Sequence, residues 1–503
     1  MDSIFRQILT SRVIDVAIQT PLDFAKRISN DTGANVFLKR EDLQPVFSFK
    51  IRGAYQKIAS LNDAEKSKGI ICASAGNHAQ GVALSAKSLN IQSTVVMPAT
   101  TPSIKVEAVK SYGAQVILQG DSYSDAAEHA YQLAEKSGQV FIHPFNDDQV
   151  IAGQGTIGLE LIRQLPDIDS VYVPVGGGGL ISGIAVFLKT VLPTVKVIGV
   201  QPLDSDAMAQ SVELNRRIQL SQVGIFADGV AVKQVGDLTF SLAKSYVDEF
   251  VRVSTDEIAS AIKEIYQETR AIMEPAGALA VAGIIHHSKQ VSIVGKKIVA
   301  INSGANMNFD RLSFVAERAL TGEKREALYS VTIPERPGSL RYFCDSCIGN
   351  RNITEFNYRL MPGEKAHIFV GIGIDSDKDI EQFQSLLISK GFPCENLTNN
   401  ELAKTHIRHM VGGRRPTSDH NSERIFRFEF PERPGALANL LNSMSTSWNI
   451  SLFHYRMHGG DFGLVLIGFD IAKTDHSKFD DYLTQLNYKY IEETENVAYT
   501  MFL

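Results

Sequence analysis

Short apolar runs alternate with helix-like stretches along the first 320 residues or so. Runs of four to six apolar residues separated by helical stretches are typical of parallel βαβ units. This part of the chain therefore predicts a two-lobed, doubly wound α/β unit. The predicted strands are at residues 36–42 (running into a loop), 69–73, 93–98, 115–118, 140–142, 170–175, 195–200 and 297–301. The predicted helices are at residues 76–89, 101–111, 125–136 and from the glycines near 179 to 190.

The last third of the chain carries an internal repeat. Pro-Glu-Arg-Pro-Gly occurs at residues 334–338 and at 431–435, and Phe-Asn-Tyr-Arg at 356–359 is echoed by Phe-His-Tyr-Arg at 453–456. Both echoes lie 97 residues apart, and two separated matches in one register indicate a duplication. Each copy follows the pattern strand, helix, strand, strand, helix, strand, which predicts a small α+β domain of the split βαβ type.

Two polar tracts mark the predicted boundaries. Charged residues 322–326 follow the α/β part, and the Gly- and Arg-rich tract 411–423 separates the two copies of the repeat. We therefore predict three domains, at residues 1–322, 326–400 and 423–495.

Composition narrows the classes of function. The chain has 503 residues, 44% of them hydrophobic, and a formal net charge of -6 without a basic stripe, which argues against a nucleic-acid partner. No apolar run approaches the ~20 residues of a membrane helix, and no secretory signal is recognisable. Four cysteines fit a reducing cytoplasm. Cys344 and Cys347 form a lone C-x-x-C, for which helix packing is favoured over a metal or redox role.

One lysine stands out for its position. Ser-Phe-Lys-Ile-Arg-Gly-Ala at residues 48–54 follows the first predicted strand, and a helix is predicted to begin near Arg52. The positive end of a helix favours the neutral amine of Lys50, and a neutral lysine can form a Schiff base with a carbonyl cofactor. A solvated surface lysine is the alternative.

Four consecutive glycines follow the strand at 170–175 and open a helix. Such a loop lets backbone N–H groups converge on a phosphate at a helix N-terminus. The dinucleotide pattern fails, because Ile181 and Ser182 stand where a third glycine would be required, and no Lys-Ser or Lys-Thr follows. A tight turn is the alternative, but turns rarely need four glycines, so phosphate binding is favoured.

A second loop, at residues 74–81, also follows a strand and opens a helix. Its hydroxyl, amide and backbone donors suit a substrate carboxylate, and Asn77 could donate to a cofactor oxygen. The other interpretation makes Ser74 the N-cap and places Asn77 and His78 on an exposed first turn. His78 is not assigned an acid–base role.

Two further polar residues are predicted at the same edge of the sheet. Ser303 follows the strand at 297–301, and its hydroxyl could bond a ring nitrogen or cap a helix. Glu274 precedes Pro275, so it is either a polar contact or only a helix start.

Four motifs occur here in one order: Ser-Phe-Lys-x-Arg-Gly-Ala, Ser-Ala-Gly-Asn-His-Ala-Gln-Gly, Gly-Gly-Gly-Gly-Leu and Ser-Gly-Ala-Asn-Met-Asn. Together they resemble the threonine dehydratases (threonine ammonia-lyases) of the tryptophan-synthase-β-like, fold type II pyridoxal phosphate enzymes. The C-terminal pair resembles the ACT-like regulatory domains of the biosynthetic form. The resemblance implies a lyase that uses pyridoxal 5'-phosphate to convert L-threonine to 2-oxobutanoate and ammonia, the first step of isoleucine biosynthesis.

The resemblance also implies roles for individual residues. Lys50 would carry the Schiff base, Asn77 would contact the cofactor's 3-hydroxyl, and Ser303 would face the pyridine nitrogen. The phosphate would be held by Gly176, Gly177, Gly178, Gly179 and Leu180. The substrate would be bound by Ser74, Gly76 and His78.

Regulation and assembly are expectations of the same kind. The resemblance implies inhibition by isoleucine, opposition by valine, a homotetramer and a cytoplasmic location, and no metal ligands are assigned. Tyr358 and Tyr455, which recur in one register, either line an effector pocket or only pack the small domains.

Three other functions fit parts of the sequence. A serine dehydratase or racemase shares the chemistry, but such relatives are usually shorter and the repeat argues against them. A β-replacement enzyme such as cysteine synthase disagrees with the context of Lys50. A non-catalytic amino-acid sensor would not need an intact lysine, phosphate loop and Ser303.

Overall fold

The computed structural model describes residues 2–120, 122–224, 226–322, 325–349, 351–359, 364–405, 407–409, 423–431, 436–445, 448–456, 462–486 and 488–496. The chain forms two compact units, Met1–Gly322 and Glu323–Leu503, here called the first and the second unit. Residues 411–422 of the predicted tract at 411–423 and the second Pro-Gly pair at 434–435 lie outside the described residues. Within the described ranges, no helix is long and apolar enough to cross a membrane.

The first unit is an alternation of strands and helices. Its strands are β1 (Leu22–Phe24), β2 (Asn35–Arg40), β3 (Ile70–Ala73), β4 (Ser93–Met97), β5 (Gln115–Leu118), β6 (Val140–Phe141), β7 (Ser170–Pro174), β8 (Lys196–Pro202), β9 (Glu249–Val253) and β10 (Lys297–Asn302). Its α-helices are α1 (Asp2–Leu9), α2 (Lys26–Thr32), α3 (Lys50–Ala59), α4 (Asp63–Lys68), α5 (Asn77–Ser88), α6 (Ser103–Ser111), α7 (Tyr123–Ser137), α8 (Asp148–Gln164), α9 (Gly179–Val191), α10 (Ala207–Glu213), α11 (Asp237–Tyr246), α12 (Thr255–Thr269), α13 (Pro275–Ser288) and α14 (Leu312–Gly322).

These strands form two sheets, one for each lobe. The larger sheet has the order β1-β2-β10-β7-β8-β9, and the smaller has the order β5-β4-β3-β6. All neighbours are parallel except β1, which runs antiparallel to β2. The central strands are buried along their length, as expected of parallel strands with helices on both faces. The predicted two-lobed α/β fold is confirmed.

Two local predictions differ from the structure. The helix predicted to begin near Arg52 begins at Lys50 instead, because Phe49 already has helical torsion angles (φ -59°, ψ -19°). Helix α8 was not predicted, and its glycines are poor helix formers. They are required by packing, since a Cβ on Gly153 would lie 2.5 Å from the Arg52 carbonyl oxygen in α3.

The second unit holds the two repeats. The first repeat comprises β11 (Glu326–Pro334), α15 (Ser339–Phe343), β12 (Ile353–Arg359), β13 (Lys365–Gly373), α16 (Asp377–Ser389) and β14 (Cys394–Asn396), followed by α17 (Glu401–Thr405). The second comprises β15 (Glu423–Pro431), α18 (Ala436–Ser443), β16 (Asn449–Arg456), β17 (Phe462–Asp470), α19 (His476–Leu486) and β18 (Lys489–Glu492). Both follow the predicted order of strands and helices.

The two repeats share one antiparallel sheet of eight strands, in the order β14-β11-β13-β12-β16-β17-β15-β18. They meet where β12 pairs with β16, which are the two strands that carry the recurring Phe-x-Tyr-Arg motif. Asn357 lies opposite His454, and on either side Phe356 faces Tyr455 and Tyr358 faces Phe453. The pairing is therefore symmetric about one residue pair, and a single hydrophobic core runs beneath both repeats.

The C-x-x-C pair lies in that core. A π-helical turn, Cys344–Ile348, continues α15, and both cysteines are buried. All four cysteines are free thiols. Among the residues that the structure describes, no cluster of His, Cys, Asp or Glu could hold a metal ion.

Candidate active site

A cavity of about 1400 Å³ opens in the first unit and is lined by loops that follow strands of both sheets. This is the edge at which ligands bind in parallel α/β folds. The cavity brings together every residue predicted for the cofactor and the substrate: Lys50, Ser74, Gly76, Asn77, His78, Gly176, Gly177, Gly178, Gly179, Leu180 and Ser303.

Lys50 is the first residue of α3 and points into the cavity. Its Nζ donates a hydrogen bond to the carbonyl oxygen of Pro144 at 2.9 Å and lies 5.3 Å from the centre of the Phe49 ring. Burial lowers the pKa of Lys50 to about 8, against the opposing field of Glu274. An amine with this pKa is partly neutral near physiological pH, as a nucleophile or base must be.

Behind Lys50, a buried ion network fixes α3. Arg52 has no exposed surface and pairs with Glu41 at 2.8 Å and with Glu160 at 2.6 Å. Lys39 pairs with Glu160 at 2.5 Å. Two cations and two anions balance, so the desolvated charges are all compensated. The network joins α3 to β2 and α8 and holds the start of α3 in place.

The glycine loop between β7 and α9 has no room for side chains. A Cβ on Gly177 would lie 2.3 Å from the Phe145 ring, and one on Gly176 would lie 2.9 Å from the Cα of Val230. Gly178 caps α9 with φ 96°, a conformation that favours glycine. The hydroxyl of Thr239 donates to the Gly177 carbonyl at 2.6 Å. The loop thus turns backbone donors of a 13-residue helix towards the cavity, which suits a phosphate.

The structure contradicts one of the two interpretations of the loop before α5, the one in which Ser74 is the N-cap. Gly76, rather than Ser74, is the N-cap, and the Ser74 hydroxyl instead accepts from the Gly76 N–H at 3.2 Å. His78 is buried, and its Nε2 donates to the Ile142 carbonyl at 2.9 Å. Burial and the nearby Lys50 lower the pKa of His78 to about 3, so its ring is neutral at pH 7.

Asn77 and Glu274 contact one another across the cavity. Asn77 Nδ2 donates to Glu274 Oε1 at 2.6 Å, and Asn77 Oδ1 accepts from Asn306 Nδ2 at 2.6 Å. Glu274 is also the N-cap of α13, with Pro275 at the first helical position. Both interpretations of Glu274, polar contact and helix start, therefore hold.

Ser303 lies at the end of β10 with 3% of its surface exposed, and its hydroxyl donates to the Ala276 carbonyl at 3.4 Å. No helix begins at residues 303–306, so the alternative of a helix cap is wrong. The backbone of this loop is held by β-bridge pairing of Gly304 with Ser48.

The segment His143–Asn146 is the part of the site that the sequence did not reveal. The Pro144 carbonyl accepts a hydrogen bond from Lys50 Nζ, and Phe145 packs on the glycine loop. His143 Nδ1 accepts a hydrogen bond from the backbone N–H of Asn146 at 2.8 Å. Burial, with the nearby Lys50, lowers the pKa of His143 to about 4. The available signal was its position after β6, at the same edge as the other loops.

The tyrosines singled out in the repeats lie in the second unit. Tyr358 is buried and donates its hydroxyl to Glu335 Oε1 at 2.7 Å. It lines a cavity of about 30 Å³ that also touches Arg341, Met444 and Trp448, so residues of both repeats form the wall. Tyr455 is partly buried against the shared core.

Taken together, the first unit has the parts that a pyridoxal phosphate enzyme requires. A buried amine of lowered pKa can reach an aldehyde, and a glycine cradle that a Cβ would fill can hold a phosphate. The residues present therefore fit that cofactor.

Comparison with known proteins agrees with this class. Residues 13–304 match the family model described as pyridoxal-phosphate dependent enzyme. Residues 317–407 and 414–503 match the C-terminal regulatory domain of threonine dehydratase. L-threonine dehydratase biosynthetic IlvA of Burkholderia multivorans is 51% identical over 502 residues, covering 99% of this chain and 98% of that protein. The protein of the same name from Escherichia coli is 44% identical, covering 99% and 96%.

Solved structures of similar proteins also match this chain. The processed form of threonine deaminase isoform 2 from Solanum lycopersicum is 49% identical with a TM-score of 0.62, covering 63% of this chain and 88% of that one. Maize serine racemase is 35% identical with a TM-score of 0.59, covering 64% and 98%. The chain belongs to the biosynthetic threonine dehydratase family of pyridoxal-phosphate dependent lyases.

Proposed function

We propose that this protein eliminates water from L-threonine to give an enamine, which tautomerises to an imine that a water molecule hydrolyses to 2-oxobutanoate and ammonia. This is the isoleucine-controlled first step of isoleucine biosynthesis. The observation that carries the proposal is the buried amine of Lys50 beside the glycine loop in one cavity. Full-length similarity to biosynthetic threonine dehydratases supports the choice of substrate.

The residues of the cavity divide the work. Pyridoxal phosphate, when bound, supplies the electron sink for the negative charge that develops at the substrate's α-carbon. Lys50 Nζ takes the α-proton, and its pKa of about 8 suits a base that works near neutrality. The loop at Gly176–Leu180 binds the phosphate, and the backbone donors and hydroxyl of Ser74, Gly76 and His78 orient the substrate carboxylate.

Two polar side chains set the electronics of the ring. We assign Asn77 to the ring hydroxyl and Ser303 to the pyridine nitrogen. A serine hydroxyl, unlike a carboxylate, would leave that nitrogen largely neutral. Ser303 would therefore favour loss of the β-hydroxyl over transamination.

The second unit is the proposed regulatory part, with one domain at 326–400 and another at 423–495 after a lyase domain at 1–322. The small cavity beside Tyr358 is lined by apolar Met444 and Trp448 and by polar Glu335 and Arg341, and at about 30 Å³ it would have to open to admit an amino acid. A branched-chain amino acid offers the matching apolar side chain and charged groups. Isoleucine as inhibitor, valine as its opponent and a homotetramer complete the proposal. The four free thiols support a reducing compartment such as the cytoplasm.

The test is 2-oxobutanoate formation by the purified holoenzyme from L-threonine, with and without isoleucine. Activity that isoleucine suppresses is expected. Activity that isoleucine does not change would support the lyase reaction and contradict the proposed inhibition by isoleucine. Activity on L-serine alone would favour the serine dehydratase alternative.

A pair of matched variants locates the effector. Tyr358→Phe removes the hydroxyl that bonds Glu335 beside the small cavity, whereas Tyr329→Phe removes one that bonds the Ile380 carbonyl at 3.0 Å elsewhere in the same repeat. We expect only Tyr358→Phe to raise the isoleucine concentration needed for half inhibition. Equal effects of both variants would contradict the placement.

A further inference from the structure

A chain of polar side chains crosses the active-site cavity and ends on a carboxylate. Asn306 Nδ2 donates to the Val46 carbonyl at 2.9 Å and to Asn77 Oδ1 at 2.6 Å. Asn77 Nδ2 in turn donates to Glu274 Oε1 at 2.6 Å. Each member belongs to a different segment, so these hydrogen bonds tie together the loop before Lys50, the start of α5 and the start of α13.

The direction of these hydrogen bonds is fixed at both ends. The Val46 carbonyl can only accept, which requires Asn306 to present its Nδ2. An ionised Glu274 can also only accept, which requires Asn77 to present its own Nδ2. A flipped Asn77 amide would place its oxygen against the carboxylate, an arrangement that two acceptors cannot satisfy.

This orientation decides what Asn77 offers to a ligand. The Nδ2 group has two N–H bonds, and donation to Glu274 uses one of them. The other is available to an oxygen in the cavity. A ring oxygen that receives an N–H bond is stabilised as the anion, whereas one that faces a carbonyl oxygen must keep its proton.

Glu274 lies in surroundings that make its charge responsive. It is 6% exposed, and the charged groups that act on it are Asp228, Lys105 and Lys50. Burial, together with Asp228, raises the pKa of Glu274 to about 7, against the hydrogen bond from Asn77. The glycines beside it leave room for the carboxylate, since a Cβ on Gly304 would approach Oε1 to 2.7 Å.

We propose that Glu274 is a positioning residue, which in its ionised form holds Asn77 so that an N–H faces the ring oxygen of the cofactor, and which loosens this hold when it takes up a proton. The inference rests on the proposed contact of Asn77 with the cofactor. It predicts that the ionisation of one buried carboxylate is visible in the absorption of the bound cofactor.

The experiment follows the absorption spectrum of the holoenzyme between pH 6 and 9, together with the dissociation constant of pyridoxal phosphate. For the wild type, we expect the ratio of the cofactor's two absorption bands to change with a midpoint near pH 7. For Glu274→Gln, we expect that step to disappear and the affinity to fall by about tenfold, as loss of a charge-assisted hydrogen bond would cause. Glu274→Asp, which keeps the charge, should retain the step.

Two controls make the result decisive. Glu249→Gln removes a carboxylate that pairs with His287 outside the cavity, and should leave spectrum and affinity unchanged. Should Glu274→Gln fail to fold, Asn77→Ala takes its place, since it breaks the same link and must abolish the same step.

The outcomes separate the inference from the proposed function. A wild-type step that persists in Glu274→Gln with unchanged affinity would overturn the role of Glu274. A Lys50→Ala variant that kept the wild-type cofactor spectrum would instead overturn the proposed function itself.

Discussion

Among single residues, Lys50 shows how burial prepares a side chain for chemistry. Its amine is held by one neutral carbonyl, and desolvation outweighs the opposing field of Glu274. The consequence is a pKa of about 8, well below the 10.5 of an exposed lysine. Neutral amine is therefore available at pH values at which surface lysines remain charged.

This pKa predicts the pH dependence of cofactor uptake. Schiff-base formation requires the neutral amine, so the rate of pyridoxal phosphate recombination with the cofactor-free enzyme should rise about tenfold per pH unit below pH 8 and level off above it. Stopped-flow absorbance measures the rate. With free Nα-acetyl-lysine, the rise should continue past pH 9. An identical pH profile for the protein and for Nα-acetyl-lysine would contradict the lowered pKa of Lys50.

The glycine loop yields a second prediction at this scale. Gly177→Ala places a methyl group 2.3 Å from the Phe145 ring, and overpacking of this kind costs about 1–3 kcal/mol. We expect cofactor affinity to fall about 5- to 150-fold, measured by fluorescence titration. Phe145→Ala in the same chain should restore much of the loss by making room, and a double variant as weak as the single one would exclude a steric cause.

At the level of elements, α3 is held by a buried ion network in addition to the apolar packing of Ile51, Ala54 and Ile58. Arg52 belongs to the first turn of α3 and pairs with two carboxylates from different segments, Glu41 and Glu160. Its network ties the helix that carries Lys50 to α8 and to β2. The precision of the active amine thus depends on ion pairs that never touch the cavity.

Arg52→Met is predicted to lower the free energy of unfolding by about 3–5 kcal/mol, because it leaves Glu41 and Glu160 buried with one cation fewer. Chemical denaturation monitored by circular dichroism measures the change. Arg12→Ala, which removes an exposed pair with Asp15, is the control and should cost less than about 1 kcal/mol. Comparable losses in both variants would show that the network contributes nothing special.

Most elements could be predicted from the sequence, and the exceptions have physical reasons. Strands β3, β4, β5 and β7 were predicted to within one residue, because buried parallel strands are short apolar runs. Helix α8 was missed, because its glycines serve contacts with other helices that no local pattern records.

The residues of the site likewise fall into those that the sequence predicts and those that it does not. Motifs placed Lys50, Asn77 and the glycine loop at one edge, since the fold brings strand ends together. The partners of those residues, such as the Pro144 carbonyl and Asn306, depend on side-chain directions across the cavity and could not be predicted.

At the scale of the whole molecule, feedback control requires that binding of a ligand to the regulatory unit changes the affinity of the lyase unit for its ligand. Coupling between two binding sites is reciprocal by thermodynamic necessity. We predict that isoleucine weakens the binding of an unreactive threonine analogue by about 5–150-fold, and that the analogue weakens the binding of isoleucine by the same factor. Calorimetric titration of each ligand in the presence of the other measures both factors. An affinity for the analogue that is unchanged by saturating isoleucine would contradict the coupling.

The symmetric pairing of β12 with β16 has a consequence for concentration dependence. A single copy of the repeat would end in an open strand edge, which invites pairing with another chain. Pairing of that kind would depend on the concentration of the protein. In this chain the partner strand lies on the same polypeptide, so the pairing is intramolecular and independent of concentration. The two copies differ at the centre of the symmetry, where Asn357 lies opposite His454.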